Sequence, residues 1–259
     1  MYMKNKLQNI EQVYKTIGIK KGDIVFIHAN MLAFGLIEKN KNDLAKHFID
    51  PLKKVIGETG TIVTLAYSFR YASGTQYIHE ESPSEAGLLT EYVRNMKKTE
   101  RSFHPFASVV ANGQDSRHIT KNITLSAFGW GSAFFRMHQM KAKCLYLGMT
   151  CGESCTFLHY VEQMYGVSHC YNKAFFHPAF FKGKERKGPF LAFLRNRKSK
   201  DYDFSRFEKQ MKKRKLLKKT KYLGGDIQIM NVEDCFNLGM EMLDKDNCAF
   251  LSEPFYVTE

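Results

Sequence analysis

At 259 residues, with 44% hydrophobic and 25% charged side chains, the chain has the make-up of a soluble globular protein able to bury a large core. The longest apolar stretch, around Ile62 to Phe69, is interrupted by Thr64, Tyr67 and Ser68 and is too short to span a bilayer. A net charge of +13, from 39 basic and 26 acidic residues, favours an anionic partner: nucleic acid, an acidic membrane surface or a phosphorylated small molecule.

Ile10, Val13, Tyr14 and Ile17 fall at helical spacing, which predicts an amphipathic first helix ending at Gly18. Before it, Met1 to Lys6 is no apolar signal core, so the expected location is cytoplasmic. Ile24 to Ile27 reads as an interior strand, and His28 to Gly35 as a loop at the strand end where α/β sheets bind ligands. Asn42 or Asp43 then opens a helix bearing Leu44, Phe48, Leu52 and Val55, kinked or split at Pro51. Gly57 to Gly60 turns the chain into a second strand, Thr61 to Tyr67, and a polar loop follows to Glu81. Ser82-Pro83-Ser84 is expected to cap a helix with Leu88, Leu89, Tyr92 and Met96 on its apolar face. The stretch Arg101 to Ser108, dense in Arg, Ser and His, could hold an anion or be a well-bonded connection to the short strand Val109 to Ala111.

A helix from about Ser132 precedes a strand, Cys144 to Met149, a turn with Ser154 as its helix cap, and a helix from Cys155 to Gly166. Later, 190–194 and 227–230 read as strands, with a basic helix from about Asp203 to Leu217 between them, and Asn231 caps a last helix with Val232, Phe236, Met240 and Leu243. Strands alternating with helices imply an α/β fold, a layered mixed sheet flanked by helices. There is no repeat or linker, so one domain is expected, with a basic C-terminal portion from about Lys182.

The chemistry concentrates on the helix from Cys155. Thr156, His159 and Glu162 recur every third residue and share one face. A neutral imidazole beside a carboxylate at a strand-turn-helix mouth suits a general base and its orienting group, though a helix histidine with a hydrogen-bond partner has the same local pattern. The six cysteines are too scattered for a disulfide framework. Cys151, Cys155 and His159 could offer zinc ligands, but no second Cys pair exists and no metal is expected. No G-x-G-x-x-G or Walker lysine loop is present. Gly152-Glu153-Ser154 lacks the second glycine of a nucleophile elbow, which leaves a Ser154 hydrolase as a remote alternative, and Cys155 is a weaker nucleophile still. The basic run at Lys212 to Lys221 has no interleaved aromatics, so a solvated face is the better reading than a nucleic-acid site, and no nucleic acid is expected as a partner.

The order of several strings nevertheless resembles one family. Gly22-Asp23 with His28 and Gly35 is followed by Gly57-x-x-Gly60-Thr61, then Pro83-Ser84 with Gly87 and Glu91. Arg101-Ser102-x-His104-Pro105-x-x-Ser108 with Gly113 and Thr156-x-x-His159-x-x-Glu162 complete the series. Over about residues 10 to 170 the chain resembles the aminoglycoside 3-N-acetyltransferase-like acyltransferases, which move an acyl group from coenzyme A to an amine on a sugar and are distinct from the GNAT fold. The resemblance implies that His159 is the general base, Glu162 its partner and Thr156 close to the thioester. It further implies that Asn30, Met31, Leu32 and Gly35, with Arg101, Ser102, His104 and Ser108, line the site of the acyl-coenzyme A co-substrate. Thr64 and Tyr67 fall on the acceptor side.

Two departures stand out: Ala29-Asn30 where the family has Ser-Ser, and Leu65-Ala66 where it has Pro-Thr. The second departure and the positive charge point to a nucleotide-diphosphate-linked amino sugar as acceptor of an acetyl or short hydroxyacyl group, with an aminoglycoside as the alternative. Direct transfer without an acyl-enzyme is expected, with backbone N–H groups of the strand-turn-helix junction holding the oxyanion. The partners are then small molecules, with room for a homo-oligomer.

Overall fold

The computed structural model describes residues 9–35, 37–38 and 40–255. The N-terminal stretch Met1 to Lys6, read above for a targeting signal, lies outside the described residues. In chain order the elements are α1 (Ile10–Thr16), β1 (Ile24–Ala29), α2 (Lys41–Ile56), β2 (Thr61–Leu65), β3 (Tyr77–Ile78), α3 (Leu88–Arg94), β4 (Glu100–Arg101), β5 (Val109–Gly113), α4 (Ser116–Thr120) and α5 (Ala133–Gln139). They continue with β6 (Lys143–Leu147), α6 (Phe157–Tyr165), β7 (Cys170–Phe175), β8 (Ala179–Phe181), β9 (Lys184–Glu185), β10 (Phe190–Arg195), α7 (Ser205–Lys213), β11 (Lys218–Tyr222), β12 (Gly225–Asn231) and α8 (Val232–Lys245).

Seven strands form the main sheet in the order β11-β12-β6-β1-β2-β5-β4. Its centre, β6-β1-β2, is parallel, and antiparallel strands extend it on both sides. Strand β1 is apolar from Ile24 to Ile27 because it is covered on both faces. Alternation sends Ile24 and Phe26 into one core, with residues of α5, α6, α7 and α8, and Val25 and Ile27 into another, with α1, α2 and α3. The architecture is therefore the expected layered α/β fold with a mixed sheet. Two smaller sheets, β10-β7 and β3-β8-β9, lie outside it.

Several local expectations need correction. Helix α2 is capped by Asn40, whose Oδ1 accepts the Asp43 N–H at 2.8 Å, and it runs on through Pro51. Phe48, Ile49 and Leu52 are fully buried, and their packing offsets the roughly 3 kcal/mol that an interior proline costs. Ser84 does not cap α3; its N–H donates to the Glu91 carboxylate at 2.7 Å, and its hydroxyl pairs with Thr90. Thr156, not Ser154, immediately precedes α6. The basic segment is helical only to Lys213; Lys215 takes a left-handed conformation (φ 59°) and the chain then forms β11. Strand β11 is an edge strand, and its lysines shield that edge from pairing with another chain.

Strand β6 delivers the chain to α6 through Gly148, which has φ 68°. A Cβ there would lie 2.2 Å from the Asn30 carbonyl oxygen and 2.9 Å from the Ala33 Cβ. Close approach of the two loops at the ends of β1 and β6 therefore requires glycine. Gly148→Ala is expected to cost about 2 kcal/mol or more, measured by urea unfolding; an unchanged midpoint would show that the loops are not in contact.

Candidate active site

The turn between β6 and α6 is anchored from several sides. The Thr150 N–H donates to the Glu153 carboxylate at 2.6 Å, and the Cys151 N–H donates to Gln228 Oε1 of β12 at 3.0 Å. Gln228 in turn donates to Glu208 of α7 at 2.7 Å. At the start of α6 the Thr156 N–H donates to His28 Nε2 at 3.3 Å, tying the helix to the carboxyl end of β1. Phe157, Leu158 and Val161 point into the core, each contributing about 1.5–3 kcal/mol by burial, and that leaves Thr156, His159 and Glu162 along another face.

Glu162 is the hub of this face. Its Oε2 lies 3.0 Å from His159 Nδ1 and accepts the Tyr202 hydroxyl at 3.1 Å, while its Oε1 lies 2.9 Å from His169 Nε2. Burial alone would push this carboxyl up, but hydrogen bonds and charge from His159 and His169 outweigh it and hold the group below the usual carboxylate range. The carboxylate is fully buried, whereas the His159 side chain is 24% exposed. The ring of His159 sits in an aromatic collar of Phe128, Tyr202 and Phe204, with centroids 5.5, 4.8 and 6.2 Å away. With Nδ1 turned to Glu162, Nε2 is the nitrogen left to meet a substrate proton.

The other expected residues divide. Tyr67 is buried in the same core cluster as α6, stacks near Phe106 and has an unpartnered hydroxyl. Thr64 is not brought to the site: its neighbours Ile62 and Ala66 face the core of α1, α2 and α3, and period-two alternation puts Thr64 there too. In the loop after β1, Asn30 caps a short 3-10 turn, Met31 is buried, Leu32 is 90% exposed and Gly35 (φ 69°) faces open space.

Arg101, Ser102, His104 and Ser108, expected to line the cofactor site, are turned inward. Arg101 donates to Ser108 Oγ at 2.9 Å and to the carbonyls of His79, Ser82 and Ala66. Ser102 Oγ accepts the Val109 N–H, Ser108 Oγ donates to the Ala66 carbonyl, and His104 bridges the Ala107 N–H and the Leu191 carbonyl. These groups tie the loop to itself and to Ala66, His79, Ser82 and Leu191, which is the well-bonded connection that the sequence left open.

Cys155 is fully buried, with its sulfur accepting the Tyr146 hydroxyl at 3.1 Å, so it faces the core. A cluster of possible metal ligands does occur, but it is Glu162, His169 and Cys170, not Cys151, Cys155 and His159. Two members of that cluster are already hydrogen-bonded to each other. Two surface cavities are not lined by His159: one of about 800 Å³ between α2 and α3 is lined by Ser84, Gly87 and Glu91, and one of about 540 Å³ by Arg101, Phe103, Lys121 and Arg186 among others. Sequence reading missed His169 and Tyr202. His169 lies beyond the glycine that ends α6, and Tyr202 is 40 residues from Glu162, so no periodicity marks either.

The sequence model of the family described as aminoglycoside 3-N-acetyltransferase matches residues 26–244. The chain belongs to that family. Among curated relatives, the aminoglycoside N(3)-acetyltransferase III of Salmonella sp is 29% identical over 178 residues, 59% of this chain and 58% of that protein. That of Serratia marcescens is 27% identical over 183 residues, 61% and 64% of the two chains. The chain thus spans about three fifths of the length of the curated relatives it matches. Among solved structures, aminoglycoside acetyltransferase AAC(3)-IIb superposes with a TM-score of 0.80 at 20% identity over 95% of this chain and 98% of the other. AAC-IIIb in a binary complex with CoASH gives 0.79 at 18% over 95% and 97%, and AAC-VIa bound to sisomicin gives 0.77 at 19% over 91% and 96%. The fold is that of these acetyltransferases and not of the GNAT group.

Burial pushes His28 down to about 3, helped by charge on His159, and pushes His79 and His104 each down to about 4. In the unfolded chain such groups take protons near 6.5, so between that pH and about 4 the unfolded state binds more protons and stability falls with pH. The expected outcome is a Tm that declines as pH is lowered from 6.5 towards 4.5, before most carboxylates titrate, with a shallower decline in His28→Phe. A flat Tm over that interval would show these histidines to be hydrated.

Proposed function

We propose that the protein is a coenzyme A-dependent N-acetyltransferase acting on an amino group of an aminoglycoside, with His159 as general base. The His159–Glu162 pair at a strand-turn-helix junction, in a member of this family, is the observation that carries the reading. Relatives named for aminoglycosides, and a related structure bound to sisomicin, favour the aminoglycoside over the nucleotide-linked amino sugar that net charge favoured. The Leu65-Ala66 departure no longer argues for another acceptor. Ala66 is fully buried against the far side of the sheet, and Leu65 packs on the near core. Charge is also local: Lys212, Arg214 and Lys245 are paired with Glu208 and Glu241 on α7 and α8, and exposed charges fade beyond about 8–10 Å in physiological salt.

In this mechanism the amine nitrogen attacks the thioester carbon, and its proton passes to His159 Nε2. The C–S bond then breaks, and the departing coenzyme A sulfur takes the proton back from the imidazole. Ionised Glu162 stabilises the imidazolium between those events, a role that does not require the carboxylate itself to accept the proton. The amides of Thr150, Cys151, Glu153, Ser154 and Thr156 are engaged inside the protein, so the oxyanion contact does not come from them. With Cys155 facing the core, no acyl-enzyme forms and both substrates are bound together.

Thiol release from acetyl-coenzyme A is expected with sisomicin as acceptor, with intersecting initial-velocity lines. Turnover of a nucleotide-linked amino sugar but not of sisomicin would overturn the acceptor, and parallel lines the direct transfer. His159→Asn should lower kcat by roughly 10²–10⁴-fold with the fold intact by circular dichroism.

A further inference from the structure

Glu162 accepts hydrogen bonds from three side chains, of which His159 and Tyr202 are partly exposed and His169 is not. His169 is fully buried, and Tyr202 is wedged between the His159 and Phe204 rings, 4.8 and 5.2 Å from their centroids. A carboxylate can only accept, so His169 Nε2 carries the proton in its 2.9 Å contact. The other nitrogen, Nδ1, is buried and has no partner, as suits a lone pair better than a second N–H. Two histidines thus share one carboxylate with different duties: His159 exposes a free nitrogen, whereas His169 presents a fixed donor and nothing else. Tyr202 adds a second fixed donor on the oxygen that faces His159. With both oxygens held, the carboxylate cannot rotate away from His159 Nδ1 without leaving a buried charge unpaired.

We propose that His169 and Tyr202 are positioning residues that act through Glu162 to hold His159 in its base tautomer and orientation; this rests on the reading of His159 as base. Loss of either donor leaves a buried carboxylate oxygen short of a partner and lets the His159 ring turn, which slows the proton transfer while leaving the substrate contacts in place. Tyr202→Phe removes a single hydroxyl. His169→Leu removes the donor altogether, and His169→Gln restores an N–H at the reach of Nε2.

Tyr202→Phe and His169→Leu are each expected to lower kcat about tenfold or more, with KM for both substrates within about twofold, and His169→Gln to recover most of the loss. In substrate-free protein, the low-field proton resonance of the His159 Nδ1–H is expected to move or broaden in the first two variants and to return in the third. Wild-type kcat in Tyr202→Phe, or equal losses in kcat with Leu and Gln at position 169, would overturn the proposal. Should His169→Leu fail to fold, Tyr202→Phe and His169→Gln still decide it. If wild-type protein acetylates no amine, the functional reading fails, and the resonance alone then judges the positioning role.

Discussion

A carboxylate removed from water is the constraint around which this site is built. The idealised cost of burying such an ion runs to many kcal/mol, and it is tolerated only where good hydrogen bonds replace the lost water. Glu162 meets that condition through donors from three segments: its own helix α6, the turn into β7, and the segment between β10 and α7. The C-terminal third, which the motif strings hardly reach, is therefore part of what holds Glu162. The orientation of the carboxylate and folding are coupled here, because the interactions that keep the group ionised also keep it aimed.

A second junction joins this hub to the sheet. Helix α6 starts where the Thr156 N–H meets the His28 ring at the end of β1, and that ring stacks on Tyr146 of the neighbouring strand at 4.9 Å. Burial keeps His28 unprotonated, which leaves Nε2 free to accept. Gly148 lets the loops at the two strand ends approach. His159 is thus referenced to the two central parallel strands, the most deeply covered part of the fold, and the collar of Phe128, Tyr202 and Phe204 limits the motion left to its ring.

Net charge and site chemistry separate in this molecule. The positive excess reads from sequence as attraction to polyanions, yet part of it sits on the edge strand β11, where lysines discourage pairing with other chains, and the nearby Lys212 and Arg214 are paired with Glu208 and Glu241. Global charge influences encounter over long distances but does not choose the acceptor, which depends on groups within a few ångströms of the amine. Family membership and the His–Glu pair therefore weigh more than the sum of charges.

Much was legible in the chain by itself. Apolar runs at Ile24, Thr61 and Cys144 marked the parallel core strands, and the three-residue spacing of Thr156, His159 and Glu162 marked one helix face, because both patterns depend on neighbours in sequence. Ser132 and the alternation of strands and helices were readable for the same reason. The strands β7 and β11 were not, since their polar or mixed side chains carry no burial period, and β8, Ala-Phe-Phe, is too short to show one. Nor could sequence tell that Arg101 and His104 would turn inward: an Arg-Ser-His loop reads alike whether its donors meet a ligand or a backbone carbonyl. His169 and Tyr202 joined Glu162 only through tertiary packing. Local spacing specifies which groups share a helix face, but what surrounds a buried charge is settled by distant segments, because only they can replace the water that folding removes.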